Sequence, residues 1–365
     1  MYLVLILLGS GIERAVFANE SPDFWEKQVQ TVFSEDETMR SSGWSGIGRC
    51  AEYCPAHRSL KRTLLTVLKD TSYRDRWEAA FAYLEASLKC DPTIDKSDVE
   101  FIINNMSHYQ LAEADAAVGC LGAAKAHSKE ILPHLEECLS MSERVTIEVV
   151  ASAILRLNPK HENALKILLA GLRSKEKFIR QRSAYWLGIT MTIDADAIKS
   201  LKHAISDEDS SVRVLSACAL LGLGYQEPSI LEIVVKCFDD EPTAVLLTRS
   251  RAPSLPLVPQ HRYALISLGN IAATSTEAKK VIQLIAERKY IGRMDWNTNL
   301  PFLLMASAKA QFGAVTQLEA YVAIAEQVDD PLRDAARREL GSRSTEEVRK
   351  LLLQWRTACN ARCTN

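Results

Sequence analysis

Apolar residues recur along this chain as Ala-x-x-x-Leu, a spacing that sets both side chains on one face of a helix. Copies stand at Ala80–Leu84, Ala117–Leu121, Ala151–Leu155, Ala264–Leu268 and Ala336–Leu340, with variants at Ala184–Leu187 and Ala217–Leu220. Most close on a glycine: Gly122, Gly188, Gly222 and Gly269. The first alanines are spaced by 37, 34, 33, 33, 47 and 72 residues, and the last gap holds a weaker copy at Ala306–Ala310. Self-similarity at this period predicts stacked helical pairs, each burying its apolar face only against its neighbours. The expected fold class is all-α, a right-handed α-solenoid of about eight helical hairpins.

The polar positions support the same elements. Leu60, Leu64, Leu65, Val67 and Leu68 mark one helix, and the turn Asp70-Thr71-Ser72 opens the next, where Ala79, Ala80, Tyr83 and Leu84 share a face. Acidic or hydroxyl residues before a helix accept its free N–H groups and suit its dipole. The small Ala admits a close neighbour, and the Leu one turn on fills the gap between helices.

The clearest copy is Asp207-Glu208-Asp209-Ser210-Ser211-Val212-Arg213, followed by Ala217-Cys218-Ala219-Leu220-Leu221-Gly222. Phe178-Ile179-Arg180-Gln181-Arg182-Ser183-Ala184 and Asp329-Asp330-Pro331-Leu332-Arg333-Asp334-Ala335-Ala336 repeat it. Acidic turn, Val-Arg, Ala-rich helix and Leu-Gly together resemble the HEAT-repeat family over most of residues 56–355, most strongly across 170–225. The resemblance implies a binding surface rather than a particular activity, since such repeats serve many unrelated functions.

Two stretches break the period. Arg249-Ser250-Arg251-Ala252-Pro253-Ser254-Leu255-Pro256-Leu257-Val258-Pro259-Gln260-His261-Arg262 carries three prolines, which exclude a regular helix and predict an extended loop leaving the stack. The second runs from Arg288 to Pro301 and holds Tyr290, Arg293 and Trp296. Insertions in repeats fall on one face, often the binding face. Candidate partner-binding residues are therefore Arg249, Arg251, Leu255, Leu257, His261, Arg262, Tyr290 and Trp296.

The ends differ from the repeats. Tyr2–Leu8 is a short apolar run, and Ala18 suits a cleavage point, with Val16 two positions before it. This predicts a signal peptide over 1–18 and a periplasmic or secreted protein, although no Lys or Arg precedes the run. A structural first helix and a cytoplasmic location form the alternative. Residues 19–50 read as linker and cap, 51–357 as the repeat region and 358–365 as a tail. Nine cysteines are present. Cys50 with Cys54, and Cys359 with Cys363, are disulfide candidates that bracket the repeats. Cys90, Cys120, Cys138, Cys218 and Cys237 lie in or beside helical runs and read as core residues.

Composition narrows the function. A formal net charge of −2 argues against a phosphate-backbone partner. Arg173, Lys175, Lys177, Arg180 and Arg182 with Trp186 form a local basic stretch, as in HEAT-like DNA glycosylases, yet each also fits a solvated helix start. Cys50-x3-Cys54-x2-His57 lacks metal or haem spacing. His127, His134 and Cys138 share a helical face in a single row, a poor ligand arrangement. His161-Glu162 is one His-Glu pair, where the HEAT-like deoxyhypusine hydroxylases need several, and nothing specific supports a bilin lyase. No metal, cofactor or catalytic set is expected. The expected function is a non-catalytic scaffold that binds another protein along its concave face and through the inserted loop; an enzyme or accessory factor on the same scaffold, or a cytoplasmic regulator, is the alternative.

Overall fold

A computed structural model of the chain describes residues 30–36, 39–40, 43, 96–105, 111–122, 124–140, 145–190, 194–238, 244–245, 258–272, 275–287, 303–308, 310–311, 317–327, 332–340, 344–350 and 353. These are mostly helical: α1 (Lys96–Asn105), α2 (Leu111–Leu121), α3 (Ser128–Cys138), α4 (Ile147–Leu157), α5 (Glu162–Leu172), α6 (Lys177–Thr190) and α7 (Ala195–Ala204) come first. They are followed by α8 (Ser210–Gly222), α9 (Pro228–Lys236), α10 (Gln260–Ile271), α11 (Thr276–Glu287), α12 (Gln317–Ala325) and α13 (Arg333–Leu340). Two short strands, β1 (Ala244–Val245) and β2 (Val258–Pro259), pair antiparallel between α9 and α10, a feature the all-α expectation did not contain. No described helix is long and apolar enough to cross a membrane.

The helix starts are set by the polar turns. Asp194 accepts from the N–H groups of Asp196 (2.9 Å) and Ala197 (3.1 Å), and Asp209 accepts from that of Val212 (3.0 Å). Ser344 and Glu347 bond reciprocally in a capping box. Pro228 opens α9, where its missing N–H costs nothing. At the end of α8, Gly224 takes φ +90°, and the N–H groups of Gly224 and Tyr225 close on the carbonyls of Leu221 (3.0 Å) and Leu220 (2.9 Å). That Schellman closure needs a left-handed residue, which glycine supplies without a Cβ clash.

Packing follows the alanine-leucine pattern. Ala117, Leu121, Ala151, Leu155, Ala184, Leu187, Ala217, Leu220, Ala264, Leu268, Ala336 and Leu340 are all buried. The helices α2, α4, α6, α8 and α10 pack in that order, each on the next. Behind them, α7 rests on α5 and α11 on α9, while α3 and α5 flank α4, and α7 and α9 flank α8. Helices α12 and α13 pack on each other.

The closing glycines mark the tightest approaches in this row. A Cβ on Gly122 would lie 2.7 Å from Ala153 Cα, and one on Gly188 would lie 2.9 Å from Ala219 Cβ. At Gly224, by contrast, nothing lies within 4 Å and the obstacle is the positive φ. Gly122→Ala should therefore lower stability by about 1–3 kcal/mol through overpacking, and Gly224→Ala by about 1 kcal/mol through backbone strain alone. Denaturant unfolding should separate them further when Ala153→Gly is added: the Gly122→Ala defect shrinks and the Gly224→Ala defect does not.

Candidate functional site

A row of buried polar side chains crosses the helix stack, and it keeps the period of the repeats. Asp115, Glu148 and Gln181 stand 33 residues apart on α2, α4 and α6, and each reaches forward to the next unit. Asp115 accepts from the backbone N–H and the hydroxyl of Thr146, both at 2.7 Å. Glu148 pairs with Arg182 at 3.2 Å, with both side chains buried. Gln181 donates to Asp209 Oδ1 at 3.0 Å. The next position in the series is Val214, where the polar row stops.

A second series runs along the turns. Arg180 holds Asp207 with one edge of its guanidinium, through Nε at 2.8 Å and Nη2 at 3.0 Å, and Nη2 also reaches Glu208 at 3.0 Å. Its other terminal nitrogen donates to the carbonyls of Ser174 (3.0 Å) and Lys175 (3.1 Å). Arg213 repeats this grip one unit later on the carbonyls of Asp207 (2.7 Å) and Glu208 (3.0 Å). Arg40 does the same to Ser34 (3.1 Å) and Glu35 (2.7 Å), so a copy of the motif lies inside the stretch expected to be linker and cap. The signal was in the sequence: Ser34-Glu35-Asp36 followed by Met39-Arg40 parallels Asp207-Glu208-Asp209 followed by Val212-Arg213.

Aromatic residues close the same face further along. Tyr185 of α6 meets Tyr263 of α10 edge-on at 4.9 Å, bridging across α8, and meets Trp186 at 4.8 Å. All three rings are buried. Where α6, α8 and α10 come together, side chains fill the interior.

The expected basic stretch divides accordingly. Arg173, Lys175 and Lys177 are exposed, whereas Arg180 and Arg182 are buried and paired with acids, and Trp186 is core. His127, His134 and Cys138 do not converge: His127 is half-buried in a 3-10 turn, His134 is exposed and Cys138 is buried. His161 caps α5, where its Nδ1 accepts from Ala164 N–H at 3.2 Å and its Nε2–H donates to Glu136 at 2.9 Å. That fixes the neutral tautomer and ties α3 to α5. Among the described residues, no cluster of three or more His, Cys, Asp or Glu could hold a metal ion.

Of the candidate partner-binding residues, His261 is the one whose side chain lies within the described residues, and it is 2% exposed. It belongs to the first turn of α10, not to the loop, so its ring is an internal packing element with no surface left for a partner. Arg262 follows it in that helix. Helix starts at Gln260 because the last proline of the insertion, Pro259, directly precedes it. Arg249, Arg251, Leu255, Leu257, Tyr290 and Trp296 lie outside the described residues, as do Cys50, Cys54, Cys359 and Cys363.

Burial shifts several ionisable groups. Burial raises the Cys138 thiol to about 11 and the Cys218 thiol to about 12, so neither supplies a thiolate near neutrality. Asp115 rises from 3.8 to about 7, chiefly through burial and further through nearby Glu148, against the opposing bonds from Thr146 and the charge of Arg182. A carboxyl poised there is a general acid–base candidate in principle. Here both oxygens are held by Thr146 and buried.

No family model matches the chain, and no curated protein matches it. Among solved structures, an X-ray structure of the Escherichia coli protein YibA overlays with a TM-score of 0.36 at 12% identity, covering 80% of this chain and 98% of that one.

The raised Asp115 carboxyl makes a signed prediction. A group whose folded value lies above its unfolded value stabilises the fold below the unfolded value, and that contribution is lost as pH rises through the folded value. Wild type should therefore lose a few kcal/mol relative to Asp115→Asn between pH 4 and pH 8. The Asn amide can keep both bonds, accepting from Thr146 N–H and donating to Thr146 Oγ. Urea unfolding across this range checks it. Parallel curves for the two proteins would show that Asp115 does not titrate there.

Proposed function

We propose that this chain is a right-handed α-solenoid of about eight HEAT-like hairpins that serves as a non-catalytic, protein-binding scaffold. The observation that carries the reading is the use of its charges. Arg180 with Asp207, Arg182 with Glu148, and Asp115 with Thr146 each join one helical unit to the next. A repeat scaffold requires such joints, because each unit is stabilised only by its neighbours.

Binding falls on the insertion between β1 and β2 and on the exposed turn edge, since the aromatic seam occupies the interior of the α6–α10 region. The insertion's sequence offers Arg249 and Arg251 together with Leu255 and Leu257. It suits a protein partner that offers carboxylates around an apolar strip. Export to the periplasm or outside the cell belongs to the same proposal and rests on the Tyr2–Leu8 run and Ala18.

The test is affinity capture with the full chain and with a variant lacking 247–256, a deletion that spares both strands and α10. A captured protein, once identified and purified, should bind the full chain stoichiometrically and the deletion variant at least about tenfold more weakly. Equal binding to both rejects the insertion as the contact, and conversion of the partner or another substrate over many turnovers per chain rejects the non-catalytic reading.

A further inference from the structure

An insertion of sequence lies between α9 and α10, and the described residues at its two ends meet at one place. Cys237 and Phe238 close α9, Gln260 opens α10, and the strands between them pair Ala244 with Pro259 and Val245 with Val258. The ring of His261 spans the same gap. Its Nε2 lies 2.6 Å from the Cys237 carbonyl, so Nε2–H donates. Its plane stacks on Phe238 with centroids 5.1 Å apart and 17° between planes. Two residues on, the Tyr263 ring meets the Tyr185 ring edge-on, with centroids 4.9 Å apart.

The geometry points to His261 as a positioning residue, one that locks the departing and returning ends of the insertion together and onto the stack. Three observations carry this independently of one another: the hydrogen bond to the departing segment, the ring stack beside it, and the Tyr263 contact that fixes the same helical turn to α6. The bond uses Nε2–H, which both the neutral and the protonated ring possess, so the clamp holds in either state. A two-residue strand pair has little stability alone, and His261 supplies the missing closure from within the core.

This clamp explains how a long excursion can serve recognition. With its ends fixed side by side, a loop has fewer conformations to lose when a partner orders it. The clamp itself stands on the geometry; its purpose, presenting Arg249, Arg251, Leu255 and Leu257, rests on the proposed binding role. The two fail separately, because the clamp can be tested with no partner present.

The experiment is hydrogen–deuterium exchange on the full chain, read in peptides covering 237–245 and 258–263, with α4 and α6 peptides as internal reference. His261→Phe keeps the aromatic stack and removes the donor; it should speed exchange at both ends of the insertion about fivefold, the worth of one hydrogen bond, with the reference peptides unchanged. His261→Gln, which restores an N–H donor, should recover most of the protection. His261→Ala should exceed His261→Phe. If His261→Ala loosens the whole chain, the reference peptides will report it and the Phe–Gln pair decides. Exchange at the two ends that is equal in wild type, Phe and Gln variants overturns the assignment.

Discussion

The guanidinium of Arg180 sits where two separate turns of the chain are held at once. It grips the carbonyls of its own helix start at Ser174 and Lys175, and it grips the Asp207 carboxylate of the following unit with two parallel bonds. Asp207 also accepts from the Asp209 N–H, and its carbonyl accepts from Arg213. The turn at Asp207–Asp209 is thus shaped by Arg213 of its own helix and fixed in place by Arg180 of the helix before. Arginine is suited to this because its planar fork satisfies a carboxylate and two carbonyls together, which a lysine ammonium cannot match geometrically.

Burying such groups carries a cost. A buried ion pair such as Glu148–Arg182 seldom adds stability over well-packed apolar residues, because desolvation offsets the attraction. What the pair does supply is register: a shifted α6 would leave Glu148 facing no cation, at a cost of about 3–5 kcal/mol. Apolar Ala-Leu faces would tolerate sliding by a turn, since one Ala-x-x-x-Leu resembles the next. The polar row of Asp115, Glu148 and Gln181 distinguishes the correct alignment from its neighbours. Its termination at Val214 coincides with the step at which the period lengthens to 47 residues. Past that point alignment passes to Tyr185–Tyr263 and to the His261 clamp.

Much of the helical framework was legible in the sequence, and the reasons are physical. The alanine and leucine of each repeat copy in the described helices are buried, because a spacing of three or four keeps a small and a large residue on one contact face. The capping acids were legible for the same local reason. Their second role was not: Asp207 reads as a helix-start residue, and nothing local reveals that Arg180, 27 positions earlier, reaches it. The row from Asp115 was hidden by type, since Asp, Glu and Gln differ while occupying one register. His261 was misplaced because the prolines before it suggested a continuous loop, whereas Pro259 ends that loop and the helix begins at the next residue. The Arg40 grip escaped notice because its turn follows no alanine-leucine helix.

The claim that arginine–carboxylate joints set one unit on the next is tested most directly by a double-mutant cycle between Arg180 and Asp207. Arg180→Met, Asp207→Asn and the double variant would be compared with wild type by denaturant unfolding. Two residues 27 positions apart that act as one joint should couple by about 1.5–3 kcal/mol, the double variant losing far less than the sum of the single losses. Additive losses, with coupling below about 0.5 kcal/mol, would contradict the account and leave the helix faces alone to align the stack.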